Sequence, residues 1–185
     1  IPGVIRTRVG YAGGMKKDPT YKDLGDHTET IQIDYDPSVI SYSELVRVFW
    51  QSHDATQPSW SRQYMSIIFF HNREQQKIAM ETRDLEARTR GRKVQTAITP
   101  YKMFYLAEDY HQKYRLKMHA DILEEYRSFY PDSEDITNST SAARVNGYLA
   151  GEGDLAQLDR EGPLLGISEN TISRIRKTLS QYQQH

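Results

Sequence analysis

The stretch Val9–Pro37, VGYAGGMKKDPTYKDLGDHTETIQIDYDP, decides how the rest of the chain is arranged. It opens with a glycine-rich turn and ends in a segment whose side chains alternate between apolar and polar. Along Thr28–Tyr35 this alternation places Glu29 on the same side as Ile31 and Ile33. The pattern therefore predicts a strand that carries a carboxylate on its core-facing side.

Burial would give Glu29 the character of a general acid. A carboxylic acid that loses its hydration holds its proton up to a higher pH, so it can donate that proton near neutrality. The alternative is a partly hydrated Glu29 at the start of the strand, paired with an arginine or a lysine. The residue pattern alone leaves both interpretations open.

Five segments of the chain resemble the peptide methionine sulfoxide reductases of the A type. They follow the order and the intervals of that family, and the match runs from about residue 2 to about residue 114. The segments are GVIRTRVGYAGG, PTYKDLGDHTE, IDYDPSVISYSELVRVFWQSHD, RQYMSIIFF and FYLAEDYHQKY. The resemblance implies an oxidoreductase that reduces methionine S-sulfoxide, free or in proteins, as protein repair under oxidative stress.

The resemblance also implies roles for three residues. In the family, a cysteine in a GCFWG motif attacks the sulfoxide sulfur, a glutamate supplies a proton to the oxygen, and two tyrosine hydroxyls hold that oxygen. By motif, the glutamate corresponds to Glu29 in HTE, and the tyrosines correspond to Tyr21 in PTY and Tyr64 in RQY. The resulting sulfenic acid is resolved by thiols, so thioredoxin or another external thiol reductant is the implied partner, and no bound cofactor is expected.

The nucleophile of this chemistry is missing from the chain, which contains no cysteine. The match begins just after the place where GCFWG would stand, so we expect a truncated N-terminus, with a cysteine or selenocysteine upstream of Ile1. A chain that begins at Ile1 is then expected to be inactive alone. The alternative is a catalytically dead member that binds oxidised methionine or a partner without reducing it.

Three further aromatic side chains are candidates for the substrate pocket: Tyr11, Trp60 and His111. Trp60 lies in the loop ATQPSWSR and is either an apolar wall of the pocket or a surface aromatic. His111 is expected to buttress the site and not to take part in the chemistry. His53 and Asp54 are predicted to cap a helix C-terminus in preference to forming a catalytic or metal site, and no metal site is predicted.

The alternation of strands and helices predicts an α+β fold in which a two-layer mixed β-sheet carries flanking helices. Ser41 and Glu44 predict a capping box at the start of one of these helices. Its buried stripe is predicted to consist of Leu45, Val48 and Phe49, with Trp50 beside it.

Residues 1–130 are predicted to form the reductase-like domain, without its first strand. Residues 131–185 are predicted to be a linker, through about residue 141, and a helical C-terminal extension. One helix is predicted from Ala107 to about Tyr130. The final helix, predicted to be capped at Ser168, is expected to pack on the reductase-like domain, with a helix-turn-helix that binds nucleic acid as the lesser alternative.

Charge and hydropathy exclude several other classes of function. With 24 Lys and Arg against 25 Asp and Glu, the net charge of −1 gives no electrostatic reason to expect nucleic acid or an anionic membrane as a partner. No apolar run approaches the length of a transmembrane helix, and no signal peptide is visible. The cytoplasm is therefore the expected setting, unless an upstream segment carries a targeting signal.

Overall fold

The computed structural model describes residues 1–183. Its strands are β1 (Val4–Ala12), β2 (Thr28–Tyr35), β3 (Ile67–Phe70), β4 (Ala97–Pro100) and β5 (Phe104–Leu106). Its helices are α1 (Tyr42–Gln51), α2 (Arg73–Arg90), α3 (Tyr114–Lys117), α4 (Ala120–Phe129), α5 (Ser133–Asn138), α6 (Thr140–Tyr148), α7 (Leu155–Glu161) and α8 (Glu169–Tyr182). The predicted α+β class is confirmed. Residues 184 and 185 of the predicted extension lie outside the described residues.

The strands form two small sheets. In the first, with strand order β2-β1-β5, strands β1 and β5 run antiparallel and Gly10 lies opposite Leu106. In the second, β3 and β4 run parallel and Ile67 lies opposite Ala97. Parallel and antiparallel pairing both occur, as predicted for a mixed sheet. The antiparallel pair lies in the first sheet, however, and the parallel pair in the second.

The chain divides into two compact units. The central unit consists of Val9–Gln32 and Asp36–Ala107. The C-terminal unit consists of Ile1–Arg8, Ile33–Tyr35 and the chain from Glu108 onward. The predicted domain boundary at residue 130 falls inside the C-terminal unit.

Helix α1 of the central unit begins as its sequence predicts. The Ser41 hydroxyl accepts the Glu44 backbone N–H at 3.2 Å, and the Glu44 carboxylate accepts the Ser41 backbone N–H at 2.8 Å. Each of these bonds satisfies a backbone donor that has no partner within the helix.

The buried face of α1 differs from the predicted stripe. Its fully buried residues are Val46 and Trp50, which form a core cluster with Ile68 of β3 and Ala79 of α2. The prediction of a buried Val48 is wrong, because this side chain lies on the opposite face and is exposed. The spacing identified an amphipathic helix, but the position of β3 and α2 determines which face is covered.

Helices of the C-terminal unit pack around one apolar cluster. Its fully buried members are Leu116, Ile122, Leu123, Tyr126, Ile136, Ala142, Val145, Tyr148, Leu149, Leu158, Leu165, Ile175 and Leu179. The segment predicted to be a linker is helical at α5, and Ile136 of that helix is part of the cluster. Its polar composition reflects helix capping instead, since the Ser139 hydroxyl accepts the Ala142 backbone N–H at 3.1 Å.

The prediction of a single helix from Ala107 to about Tyr130 is wrong. The chain instead forms a 3-10 turn at Asp109–His111, then α3 and α4, and Lys113 adopts a left-handed conformation with φ of 49°. The Lys113 ammonium is buried and donates to the backbone carbonyl oxygens of Thr7 and Thr137, the latter at 2.8 Å. A helix running through Lys113 would need a different backbone conformation at this residue.

The buried Lys113 predicts a specific dependence of stability on pH. Burial, and then the positive charge of Arg8 and Lys117, lower the pKa of Lys113 to about 8, whereas the unfolded value is about 10.4. Between these values the unfolded chain binds more protons than the folded chain, so the free energy of unfolding rises with pH. Relative to Lys113→Met, we expect the wild type to gain roughly 1–3 kcal/mol between about pH 8 and about pH 10.

Urea unfolding across this pH range measures the free energy of unfolding of both proteins. Subtracting the value of Lys113→Met from that of the wild type removes the contribution of the other titrating groups. Equal pH slopes for the two proteins would show that Lys113 does not titrate in this window.

Helix α8 forms as predicted, with Ile175 and Leu179 fully buried in the apolar cluster. Its N-cap Ser168 accepts the Thr171 backbone N–H at 3.3 Å. The Glu125 carboxylate of α4 accepts the Ser168 backbone N–H at 2.6 Å. A carboxylate at a helix N-terminus is stabilising, so Glu125 fixes α8 to α4.

Two arginines that a helix-turn-helix would direct at phosphates form ion pairs within the unit. Arg174 pairs with Asp121, and Arg176 pairs with Asp159 at 2.5 Å. In residues 1–183, no helix has both the length and the apolar composition needed to cross a bilayer.

Candidate active site

The three residues with predicted roles in the chemistry all lie in the central unit. Tyr21 lies in the segment between β1 and β2, Glu29 is the second residue of β2, and Tyr64 ends a 3-10 turn at Arg62–Tyr64 that precedes β3. The Arg62–Tyr64 turn connects them. Gln63 of this turn donates a hydrogen bond to Glu29, and the adjacent Tyr64 is hydrogen-bonded to Tyr21.

Glu29 does not face the core, and this part of the prediction is wrong. It is exposed, together with Ile31, whereas the neighbouring Thr28 is buried and donates its hydroxyl proton to the Arg62 carbonyl oxygen at 2.9 Å. Alternation determines which side chains share a face of the strand, but not which face is covered. The Glu29 carboxylate accepts a hydrogen bond from the Gln63 side-chain amide, with 2.7 Å between Nε2 and Oε1.

Both tyrosines of the pair are accessible to solvent. Tyr21 is 40% exposed and Tyr64 is 43% exposed. The hydrogen bond with Tyr21 raises the pKa of Tyr64, and partial desolvation and the negative charge of Glu29 raise it further. Tyr64 therefore keeps its hydroxyl proton at neutral pH and can donate it to a ligand.

The weaker pocket candidates have different surroundings. Trp60 is 84% exposed, and its ring contacts the Tyr64 ring with 4.9 Å between centroids, so it adds an apolar surface beside the tyrosine pair. Tyr11 is only 2% exposed, and its ring packs within the core. His111 belongs to the C-terminal unit, where its ring contacts Tyr110, and its supporting role stays a prediction.

Arg62 ties the turn that carries Tyr64 to the glycine-rich loop. Its guanidinium donates to the Gly13 carbonyl oxygen at 3.0 Å and to the Asp26 carbonyl oxygen. Gly13 has a φ of +83°, and a Cβ at this position would lie 2.7 Å from the Phe69 ring. Glycine is therefore required here, both for the backbone conformation and for the close approach.

Two polar side chains fold the rest of this loop. The buried His27 accepts the Gly14 backbone N–H at Nδ1 and donates from Nε2 to the Lys16 carbonyl oxygen, at 3.2 Å and 2.8 Å. The Asp26 carboxylate accepts the backbone N–H groups of Met15 and Lys16, and these bonds lower the pKa of Asp26. The segment before Glu29 thus has a defined conformation held by hydrogen bonds.

His53 and Asp54 are held by local contacts and also by Ser66 and Arg90, respectively. Helix α1 ends at its C-cap, Ser52, and His53 Nδ1 lies 3.0 Å from the Phe49 carbonyl oxygen. The Asp54 carboxylate accepts the backbone N–H and the hydroxyl of Thr56, and these bonds lower the pKa of Asp54 to about 2. Among the residues that the structure describes, no three His, Cys, Asp or Glu side chains are arranged to hold a metal ion.

Sequence patterns assign no role to Gln63 or Arg62. The position of Gln63 directly before Tyr64, in the motif RQY, is the one sequence feature that could have pointed to it. Its partner Glu29, however, is 34 residues away. Arg62 contacts carbonyl oxygens 36 and 49 residues away. No local spacing rule connects positions so far apart.

The accessible Arg62–Tyr64 turn contacts the Glu29 carboxyl group through Gln63 and the Tyr21 side chain through Tyr64. Hydroxyl groups stabilise an oxygen atom that carries partial negative charge, and a carboxylic acid can protonate such an oxygen. The arrangement is therefore suited to bind a strongly polarised oxygen and to transfer a proton to it.

A family model described as peptide methionine sulfoxide reductase matches residues 1–143. The peptide methionine sulfoxide reductase of Drosophila melanogaster is 43% identical to this chain over 90% of the chain and 67% of its own length. Peptide methionine sulfoxide reductase A5 of Arabidopsis thaliana is 40% identical over 81% of the chain and 61% of its own length. The chain thus spans about two thirds or less of the length of these relatives.

Solved structures show the same likeness. Reduced Mxr1 of Saccharomyces cerevisiae matches with a TM-score of 0.58 and 32% identity, over 64% of this chain and 73% of Mxr1. Methionine sulfoxide reductase A of Corynebacterium diphtheriae matches with a TM-score of 0.56 and 30% identity, over 65% of this chain and 66% of its own.

Proposed function

Because this chain belongs to the peptide methionine sulfoxide reductase family, we propose that it forms the oxygen-binding and proton-donating part of a site that reduces methionine S-sulfoxide to methionine. The observation that carries the proposal is the Arg62–Tyr64 turn, whose Gln63 binds the Glu29 carboxyl group and whose Tyr64 is hydrogen-bonded to Tyr21. A sulfoxide oxygen carries substantial negative charge, and these are the groups that would bind it and protonate it.

The proposed reaction starts with a cysteine or selenocysteine outside these 185 residues, since they contain no cysteine. Its thiolate or selenolate attacks the sulfoxide sulfur while Glu29, in its protonated form for this step, gives its proton to the oxygen, which Tyr21 and Tyr64 hold. The oxygen is then transferred to the nucleophile, so that methionine leaves and a sulfenic or selenenic acid remains. Two thiols reduce this acid back to the starting form, with formation of a disulfide and water.

The raised pKa of Tyr64 supports its proposed role as a donor. A neutral tyrosine donates a hydrogen bond to the sulfoxide oxygen, whereas a tyrosinate would repel it. Trp60 beside Tyr64 would supply an apolar surface for the methionine side chain.

The reductant is proposed to be external. A thiol of thioredoxin or of another external reductant would supply the electrons that return the sulfenic acid to the starting thiol. Thioredoxin is therefore the proposed protein partner, and the cytoplasm the proposed setting.

The test compares the native protein, including any residues that precede Ile1, with the 185-residue chain alone. We expect the native protein to reduce methionine S-sulfoxide in the presence of dithiothreitol and to leave the R epimer unchanged. The 185-residue chain and a nucleophile→Ser variant should form no methionine. A native protein that reduces neither epimer would overturn the proposal, and calorimetry with methionine S-sulfoxide would then test the alternative of binding without reduction.

A further inference from the structure

We propose that Gln63 is a positioning residue for this reaction: it holds the Glu29 carboxyl group in the orientation from which the proton is delivered. This inference rests on the function proposed above. Gln63 is not expected to touch the substrate, and it acts through Glu29.

The geometry that carries the proposal is a pair of adjacent contacts from one short turn. Gln63 donates from Nε2 to Glu29 Oε1 at 2.7 Å. The next residue, Tyr64, is hydrogen-bonded to Tyr21. Consecutive residues of the turn therefore hold the proton donor and one of the two hydroxyls that would bind the sulfoxide oxygen.

The bond to Oε1 distinguishes the two oxygens of the carboxyl group. A carboxyl oxygen that already accepts a strong N–H bond is the less favourable place for a proton, so the proton of neutral Glu29 is carried on Oε2. The bond forms with either charge state of Glu29, because the carbonyl oxygen of a neutral carboxyl group also accepts. The amide of Gln63 does not titrate, so it remains a donor across the pH range of the reaction.

The backbone of the turn next to this bond is held by contacts of Arg62. The Arg62 carbonyl oxygen accepts the Thr28 hydroxyl at 2.9 Å, so the residues that precede Gln63 and Glu29 are also bonded to each other. The Arg62 guanidinium further binds the carbonyl oxygens of Gly13 and Asp26. A donor on a fixed backbone loses little conformational freedom when it orients its partner, as positioning for catalysis requires.

The first test replaces the amide by an alkyl group of similar size. For Gln63→Leu in the native protein, we expect kcat for methionine S-sulfoxide to fall about tenfold or more, with KM changed less than kcat. The matched control is Gln57→Leu. Gln57 lies in the preceding loop and makes the same kind of bond, from Nε2 to Asp54 Oδ2 at 3.1 Å, but to a carboxylate without a proposed role. Its kcat should stay within about twofold of the wild type.

The second test uses Gln63→Glu, which separates positioning from a general effect on folding. Near neutral pH the new carboxylate repels Glu29 and cannot donate, so activity should be low. Below about pH 5 the new carboxyl group is protonated and can donate to Oε1, so activity relative to the wild type at the same pH should recover. A residue that only supported the fold would give no such pH-dependent recovery.

The outcomes separate the two proposals. If Glu29→Gln is inactive, the proposed function stands, and two outcomes would then refute the positioning role of Gln63. One is a Gln63→Leu variant with the kcat of the wild type. The other is a Gln63→Glu variant whose activity is the same fraction of the wild-type activity at every pH. If the wild-type native protein does not reduce the S-sulfoxide at all, the proposed function fails, and the role of Gln63 fails with it.

Discussion

Glu29→Gln is expected to lower kcat for methionine S-sulfoxide by roughly 10²–10⁴-fold in the native protein, the range typical for loss of a general acid. Glutamine keeps the shape of the side chain and can still accept the hydrogen bond from Gln63, but it has no carboxyl proton to transfer. Binding of the sulfoxide depends on the tyrosine hydroxyls and on apolar contacts, which the variant retains. The effect should therefore appear in kcat and much less in KM.

Steady-state kinetics with a thiol reductant measure this effect. Glu81→Gln is a suitable control, because Glu81 is an exposed glutamate of α2 without a proposed role. If Glu29→Gln retained half of the wild-type kcat while the control behaved normally, Glu29 would not be the proton donor.

The tyrosine pair should give the second large effect. Tyr21→Phe and Tyr64→Phe each remove one hydroxyl, and each is expected to lower kcat/KM about tenfold or more. In the double variant we expect a loss clearly smaller than the product of the two single losses, because the two residues are coupled. The reason is that each hydroxyl is also the hydrogen-bond partner of the other, so removing one already disturbs the second.

A double-mutant cycle on kcat/KM measures this coupling. Tyr182→Phe, in an exposed tyrosine of α8, is the matched control and should be neutral. Strict independence of the two tyrosines would mean that they do not act as a pair, and wild-type activity in the double variant would remove both from the site.

Local patterns predicted the elements that depend on neighbouring residues. The capping box of Ser41 and Glu44, and the cap of α8 at Ser168 with its buried Ile175, follow from spacings of three to seven residues, and both are present. The prediction of a helix through Lys113 was wrong because the Lys113 ammonium binds, among other groups, a carbonyl oxygen 106 residues away. A preference for local helix cannot account for a contact at that distance.

The candidate site shows the same division. Motif letters predicted roles for Tyr21, Glu29 and Tyr64, and the structure links all three to the Arg62–Tyr64 turn. The sequence patterns did not predict that Glu29 is exposed, because alternation does not show which face of β2 is covered. They also did not identify Gln63, whose relation to Glu29 exists only after the turn and the strand have met.

In the proposed site, Tyr21, Glu29 and Tyr64 hold the sulfoxide oxygen. The most direct test is a crystal structure of the native protein with its nucleophile changed to serine and with methionine S-sulfoxide bound. We predict that the oxygen lies about 2.5–3.0 Å from both tyrosine hydroxyls and from a carboxyl oxygen of Glu29, the distance of an O–H···O hydrogen bond. A bound sulfoxide whose oxygen contacts none of these three side chains would show that they do not form the oxygen-binding site.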